Sequence, residues 1–232
     1  MSLSRIIELA GVRTAIAGAS QSRTMMIFLH GNGMRHTDLV PFAGSLALPM
    51  AFLFPRGPVP TASQGNAWWP VDEAAKTTAL QKGPRDLFDR QPAGLTTAHE
   101  LLGGFIAAVD AEFHPQRIVL GGFSQGGMLA CDWALRASRP IDALVLLSTS
   151  RIDFQHWETC RKPTLSLPVF LSHGYQDADI AFSAGECLRD FLCSVGAAVD
   201  WLPFEGGHEI PLVVWSRLRR FLGQVPTASP LG

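Results

Sequence analysis

Charged residues are scarce in this sequence, and neither sign is in excess. Of its 232 residues 17% are charged, with 19 Lys and Arg against 20 Asp and Glu, and the basic residues form no run. The electrostatic basis for binding a nucleic acid or an anionic membrane is therefore missing. Apolar stretches of about 18 residues, the length that crosses a bilayer, are missing as well. The composition argues against a nucleic acid partner and against a stable membrane anchor.

Cysteine is also scarce, and its spacing is uninformative. The four cysteines are Cys131, Cys160, Cys187 and Cys193, with no C-x-x-C pair and no histidine at metal-site spacing. Free cysteine behaves as a small buried hydrophobe, so we expect reduced thiols packed in the core and no metal. Residues 1–18 carry charges within their apolar pattern, which argues against a cleaved secretion signal. We therefore expect a cytoplasmic protein.

Apolar segments of strand length alternate with longer helical patterns. Strands are predicted at residues 24–29, 50–54, 117–120, 143–147, 169–172 and 199–204, and helices at 98–113, 126–137, 183–195 and 211–222. The first helix is preceded by a Thr-Thr-x-x-Glu capping pattern. Segments 5–9 and 12–17 predict an antiparallel hairpin at the edge of the sheet. The fold class is therefore α/β, with a mostly parallel, eight-stranded sheet covered on both faces.

We expect one domain over residues 1–223 and a frayed tail over residues 224–232. Residues 55–97 form an unusually long connection that has no strong core pattern. Trp68 and Trp69 lie within it, and such aromatics could line a pocket beneath a functional loop or small lid. Two alternatives stay open. The segment could be a surface loop without a function, partly packed by its tryptophans. Alternatively, its aromatics could be exposed for interaction with a partner or a second copy.

The motif G-x-S-x-G occupies residues 122–126, directly after one predicted strand and directly before a helix. A serine in such a turn adopts a strained backbone that presents its hydroxyl to a ligand. Glycines two positions to either side keep the neighbouring backbone from clashing. We predict that Ser124 is a nucleophile; the alternative is a serine in a glycine-rich turn without chemistry.

A serine hydroxyl needs a histidine base, and the seven histidines can be sorted by position. His208 follows the last predicted strand behind two glycines, where the carboxyl ends of parallel strands form ligand sites. It is the predicted base. His36 lies after the turn that follows the strand at residues 24–29, and it is expected at the mouth of the site. We expect surface or capping roles for His99, His114 and His156, the last in an irregular stretch, and backbone hydrogen bonds at strand ends for His30 and His173.

Asp177 and Asp179 follow the strand at residues 169–172 and are candidates for the carboxylate that orients the base. Asp177 lies in the turn itself and is preferred, whereas Asp179 is expected to be a helix cap or a solvated charge. A tetrahedral oxyanion also needs backbone donors. The N–H of Gln125, at the helix start, and the N–H of Asn32, in the glycine-rich loop after the first strand, are the predicted pair.

At these residues the sequence resembles the phospholipase/carboxylesterase branch of the α/β-hydrolases, which includes acyl-protein thioesterases and small bacterial carboxylesterases. The resemblance rests on FLHGNG, PRGPV, GGFSQGG, SHGYQD and GGHEIP, at residues 28–33, 55–59, 121–127, 172–177 and 206–211. It implies an α/β-hydrolase fold with no large separate cap domain and no cofactor. The implied roles are nucleophile for Ser124, acid for Asp177, base for His208, and oxyanion donors for Asn32 and Gln125.

The resemblance also suggests where a substrate would lie. The tryptophan pair resembles the family's S-W-F-D segment, which borders the acyl pocket. Trp68, Trp69, His36 and Met34 are accordingly the predicted substrate-binding residues. Two positions depart from the family pattern, because Met34 and Ala181 stand where Asp and Pro are usual.

The predicted function is that of a serine hydrolase, which cleaves small carboxylic esters or thioesters through an acyl-enzyme. A lysophospholipase or long-chain acyl thioesterase with the tryptophan loop as a lid is the alternative within enzymes. A non-catalytic ligand-binding module that keeps the fold is the alternative from another class. Homodimers are an open alternative under either hypothesis.

Overall fold

The computed structural model describes residues 5–19, 21–160 and 166–225. The strands are β1 (Arg5–Leu9), β2 (Val12–Gly18), β3 (Thr24–Leu29), β4 (Ala51–Pro55), β5 (Val59–Pro60), β6 (Asn66–Ala67), β7 (Arg117–Phe123), β8 (Ala143–Leu147), β9 (Pro168–Gly174) and β10 (Ala198–Phe204). The helices are α1 (Val40–Leu46), α2 (Glu73–Leu80), α3 (Leu95–Phe113), α4 (Gln125–Arg136), α5 (Phe154–Cys160), α6 (Phe182–Ser194) and α7 (Leu212–Gln224).

Eight strands form one sheet in the order β1-β2-β4-β3-β7-β8-β9-β10. The pairs β1–β2 and β2–β4 are antiparallel, and the other neighbours are parallel. The predicted mostly parallel, eight-stranded sheet and its edge hairpin are therefore confirmed. Ala10 and Gly11 both have positive φ, at 50° and 73°, which suits a two-residue hairpin turn.

Two apolar clusters cover the two faces of the sheet. One includes side chains of α3, α4, α5 and α6, and the other includes those of α1 and α7. Every residue of β3 and β8 is buried, which is why these strands are continuous apolar runs in the sequence. With helices on both faces, the carboxyl ends of the parallel strands are left to carry the site.

Some local predictions were wrong. Helix α3 begins at Leu95 rather than residue 98, because Leu95 and Ala98 both pack in the core and extend it by a turn. Its N-cap is Gly94, with no side-chain cap, so the Thr-Thr-x-x-Glu pattern does not start it.

His156 belongs to α5, a short helix that was not predicted. At the other end, α7 includes Gln224, and residues 226–232 of the predicted tail lie outside the described chain.

The cysteines differ in exposure. Cys131 is buried as expected, but Cys187 is half-buried and Cys193 is exposed, so the core prediction is wrong for Cys193. The buried stripe of α6 is formed by other residues, including Leu188, Phe191 and Leu192. These three thiols are free, and the side chain of Cys160 lies outside the described part of the structure.

The long connection at residues 55–97 is structured. It contains the β5–β6 hairpin and α2, and both Trp68 and Trp69 pack in the core beside α3, only 2% and 5% exposed. The hypothesis that these aromatics are exposed for a partner is therefore wrong for the tryptophan pair. Within the described ranges, no helix is both long enough and apolar enough to cross a membrane.

Candidate active site

Ser124 lies at the sharp turn between β7 and α4. Its backbone has φ 53° and ψ −118°, a region that non-glycine residues rarely adopt. A Cβ at Gly122 would lie 2.5 Å from the carbonyl oxygen of Gly126, and one at Gly126 would lie 2.6 Å from that of His30. Only glycine fits at either position, so the packing reason inferred from the motif is confirmed.

Hydrogen bonds to β8, to the segment just after it and to α4 hold this turn. The Ser124 N–H donates to the Leu147 carbonyl at 2.9 Å, at the end of β8. The Ser124 carbonyl accepts from the Thr149 hydroxyl at 3.0 Å and from the Met128 N–H at 3.0 Å. The strained backbone is thus fixed on both sides of the serine.

The structure brings Ser124, Asp177 and His208 together. The Nε2 atom of His208 lies 2.9 Å from Ser124 Oγ, and its Nδ1 atom lies 2.7 Å from Asp177 Oδ2. Asp177 and His208 come from the turns that follow β9 and β10, as their positions after strands predicted. The Phe123 ring packs 4.8 Å from the imidazole of His208, centroid to centroid.

The two turns that carry these side chains are bonded to each other. The Gln176 N–H donates to the Gly206 carbonyl at 2.9 Å, and the Gly206 N–H donates to Gln176 Oε1 at 2.7 Å. Gly206 has φ 153°, and a Cβ at Gly174 would collide with the Gly206 carbonyl oxygen. Glycine at both positions therefore permits the close approach that sets the distance between Asp177 and His208.

Asp177 is a buried carboxylate with an unusual number of donors. Its Oδ1 atom accepts from the N–H groups of Asp179 at 2.9 Å and Ile180 at 2.8 Å. Burial alone would raise the pKa of Asp177, but hydrogen bonds from His173, His208 and the backbone outweigh it and hold that pKa well below its usual range. The carboxylate is therefore ionised at neutral pH.

Asp179 does not have either of its predicted roles. Its side chain is mostly buried and pairs with Lys76 of α2, at 2.7 Å, and with Arg85. Burial opposes the charge, yet the hydrogen bonds from Lys76 and Arg85 lower the pKa of Asp179 below its usual value. The prediction of a helix cap or a solvated charge was wrong because both cations lie about a hundred residues earlier in the chain.

The glycine-rich loop after β3 is braced by β6. The Gly33 N–H donates to the Asn66 carbonyl at 3.0 Å, and the Asn66 N–H donates to the Met34 carbonyl at 2.9 Å. The Met34 sulfur accepts from the Gly31 N–H at 3.4 Å. The backbone N–H groups of Asn32 and Gln125 donate to no acceptor within the described ranges. Both are consequently free to serve an incoming anion, and their oxyanion role stays a prediction.

The side chain of Gln125 has a role that the sequence did not reveal. Its Oε1 atom accepts from the Trp68 N–H at 2.8 Å, and its Nε2 atom donates to the Trp69 carbonyl at 3.0 Å. The Trp68 indole N–H donates to the His30 carbonyl at 2.9 Å. The tryptophan pair therefore anchors the long connection to the turn that carries Ser124. The predicted contact of Trp68 and Trp69 with a substrate stays a prediction.

The remaining histidines are spread over the fold. His30 accepts from the Gly57 N–H at 2.9 Å and bonds the Gly31 carbonyl at 2.8 Å, and burial lowers its pKa to about 4. His36 is half-buried, and burial lowers its pKa; its place at the mouth of the site stays a prediction.

His99 is neither a cap nor a solvated residue, because its Nδ1 atom lies 2.8 Å from buried Asp132. His114 is the C-cap of α3.

No group of three or more His, Cys, Asp or Glu side chains in residues 5–19, 21–160 and 166–225 is arranged to hold a metal ion. A hydroxyl, an imidazole and a carboxylate in this order form the arrangement that activates a serine for attack on an acyl carbon.

The chain is similar to several known proteins. An acyl-protein thioesterase 1 from Neurospora crassa is 29% identical over 56% of this chain and 55% of its own length. A probable carboxylesterase, SOBER1-like, from Arabidopsis thaliana is 26% identical over 82% of this chain and 74% of its own length. The chain thus spans about half of the first relative and about three quarters of the second.

Solved structures show the same fold. The crystal structure of esterase PE8 superposes with a TM-score of 0.77 at 22% identity, covering 97% of this chain and 99% of that one. Residues 11–225 match the family described as phospholipase/carboxylesterase, which confirms the resemblance, the α/β-hydrolase fold and the predicted class of hydrolase. The chain belongs to the phospholipase/carboxylesterase family.

Proposed function

We propose that the protein is a serine esterase or thioesterase that cleaves small acyl substrates through an acyl-enzyme on Ser124. The observation that carries this proposal is the placement of the His208 imidazole between two partners. One nitrogen lies 2.9 Å from the serine hydroxyl, and the other lies 2.7 Å from the Asp177 carboxylate. The relatives named as thioesterase and carboxylesterase support the same bond classes.

The first step follows from the hydrogen bonds. Because Asp177 is ionised and accepts from Nδ1, the His208 proton is held on that nitrogen, and the Nε2 lone pair faces the serine. As Ser124 Oγ bonds to the acyl carbon, its proton passes to Nε2, and the carbonyl π electrons move onto oxygen. The oxyanion electrons then re-form the carbonyl as the bond between the acyl carbon and the leaving oxygen or sulfur breaks. The imidazolium donates its proton to that leaving atom, which departs as an alcohol or thiol.

Two backbone N–H groups are available for the negative charge on the carbonyl oxygen. Those of Asn32 and Gln125 belong to a braced loop and to the first residue of α4, so neither has to move far to donate. The start of α4 adds the positive end of a helix dipole. A water molecule then repeats the sequence, with His208 as base, and releases the carboxylic acid.

Hydrolysis of p-nitrophenyl acetate and butyrate tests the proposal. We expect turnover by the wild-type protein and its loss in Ser124→Ala. Ser194→Ala is a matched control, since Ser194 lies at the end of α6, where its hydroxyl donates to the Phe191 carbonyl. A folded wild-type protein with no turnover would instead support the ligand-binding module.

A series of esters with increasing acyl chain separates short-chain activity from the lysophospholipase or long-chain thioesterase alternative. That alternative takes the tryptophan loop as a lid, and the burial of both indoles removes support for such a lid. We therefore expect the specificity constant to be highest for short acyl chains. The cytoplasmic location and the homodimer remain proposals, to be tested by localisation and by sizing.

A further inference from the structure

His173 is a buried histidine to which the proposed catalytic cycle assigns no role. It lies in β9, fully buried, four residues before Asp177. Its Nε2 atom lies 3.1 Å from the Ile180 carbonyl oxygen and 3.3 Å from Asp177 Oδ2. Its Nδ1 atom has no hydrogen-bond partner in the described part of the chain. Since two acceptors face Nε2 and none faces Nδ1, the ring proton is assigned to Nε2.

The surroundings hold this ring in one orientation. A Cβ at Gly185 of α6 would lie 2.6 Å from His173 Nδ1, so a glycine is required for the imidazole to fit. The ring of Phe182 lies across it, with centroids 6.1 Å apart and planes at 81°. Its strand partner in β10 is Pro203. A polar ring packed this closely has a defined direction for its single N–H.

We propose that His173 is a positioning residue for the Asp177 carboxylate, an inference that rests on the proposed function. Its N–H is aimed at the Ile180 carbonyl, and Asp177 Oδ2 lies 3.3 Å from the same nitrogen. The N–H of Ile180 in turn donates to Asp177 Oδ1 at 2.8 Å. One imidazole therefore holds both the turn and one oxygen of the carboxylate.

The consequence for His208 follows from the geometry of Oδ2. This oxygen lies 2.7 Å from His208 Nδ1 and 3.3 Å from His173 Nε2, so both imidazoles lie against the same carboxylate oxygen. With His173 in place, the space around this oxygen is restricted. Without it, the carboxylate can rotate, and its less stabilised charge holds the proton on His208 more tightly.

The other charged groups on this turn and on neighbouring elements are accounted for by their own partners. They are Asp179 with Lys76 and Arg85, Glu186 and Asp190 with Arg189 on α6, Asp200 of β10 with Arg217 of α7, Glu205, which accepts from the Gln176 side-chain amide, and Glu209, which accepts from the Gly207 N–H. None of these pairs includes His173. A change at residue 173 therefore reaches the site through Asp177 and the turn that carries it.

Two variants separate hydrogen bonding from packing. Glutamine can place an amide N–H near the position of the imidazole Nε2–H, whereas leucine fills similar space without a donor. We expect His173→Leu to lower kcat about tenfold with little change in KM, and to move the acid limb of the kcat/KM profile upward by about half a pH unit. His173→Gln should recover most of both effects.

Each outcome is decisive. A folded His173→Leu protein with wild-type kcat and pH profile overturns the proposal, as does a His173→Gln protein as impaired as the leucine variant. If His173→Leu does not fold, nitrogen NMR of the wild type decides, because the proposal requires the Nε2–H tautomer and the Nδ1–H tautomer contradicts it. A wild-type protein without esterase turnover or Ser124 labelling refutes the proposed function instead, so the two failures are distinct.

Discussion

The ammonium of Lys76 lies 2.7 Å from Asp179 Oδ2 and ties α2 to the turn that carries Asp177. Helix α2 has no buried residue, so polar contacts are its main attachment. At its first residue, Glu73 accepts from the side-chain amide of Asn32 at 3.1 Å. One short helix thus contacts both the glycine-rich loop after β3 and the turn that carries Asp177.

Lys76→Met should loosen this helix. The ion pair is mostly buried but retains some solvent access, so we expect a loss of about 1 kcal/mol or less in the free energy of unfolding. The larger effect should be faster amide hydrogen exchange in Glu73–Leu80, measured by mass spectrometry. Lys82→Met is the matched control, because Lys82 is exposed just beyond the same helix. Equal exchange in the two variants would show that Lys76 does not hold the helix.

Gly126→Ala should disrupt the turn that carries Ser124. The added methyl group would lie 2.6 Å from the His30 carbonyl oxygen, next to the glycine-rich loop after β3. We expect a loss of about 1–3 kcal/mol in stability and a fall in kcat of about a hundredfold. Gly104→Ala is the control, since its Cβ would meet nothing and alanine favours the helix by roughly 0.5–1 kcal/mol. Full activity in Gly126→Ala would contradict the close packing of this turn.

Asp132→Asn should destabilise the fold away from the site. This fully buried carboxylate accepts from His99, Arg136 and Trp157, and therefore joins α3, α4 and α5. Removing its charge leaves the cation of Arg136 without its counter-ion, so we expect a loss of about 3 kcal/mol or more at neutral pH. Urea unfolding measures it, and Asp190→Asn, an exposed position on α6, should stay near wild type.

The pH dependence of that stability has a definite sign. Burial opposes the charge of Asp132, but its hydrogen bonds and the Arg136 cation lower its pKa below the unfolded value. The stabilisation is therefore complete above the unfolded pKa of about 3.9 and is lost as pH falls towards the folded pKa. Between pH 5 and pH 3, roughly, wild-type stability should fall more steeply than that of Asp132→Asn. Parallel curves would contradict this pairing.

Activity should respond to acid through one group in the triad. The pKa of Asp177 is held far below its usual range, so this carboxylate stays ionised as pH falls through about 4. The logarithm of kcat/KM should then decrease with a limiting slope of about one per pH unit, from protonation of the base. A slope of about two over the pH range where the protein stays folded would mean that Asp177 titrates as well.

The three clustered side chains could be predicted because each follows a strand whose apolar run is plain in the sequence. Carboxyl ends of parallel strands meet at one edge, so Ser124, Asp177 and His208 were placed together without any contact being known. The strands themselves were well predicted, with β3 and β8 matching residue for residue.

Other features depend on contacts that no local pattern encodes. The partners of Asp179 and of His99 lie far along the chain, and nothing at either residue indicates a polar contact with such a distant residue. Helix α2 buries no residue and therefore has no apolar period to detect. The burial of Trp68 depends on hydrogen bonds to Gln125 and His30, which only the folded chain brings near.

Covalent labelling with a fluorophosphonate, followed by peptide mass spectrometry, tests the central claim most directly. The hydrogen-bonded row of Ser124, His208 and Asp177 predicts one adduct, on Ser124, formed far more slowly in His208→Gln and not at all in Ser124→Ala. A folded wild-type protein that stays unlabelled, or that is labelled equally fast after His208→Gln, would contradict the account.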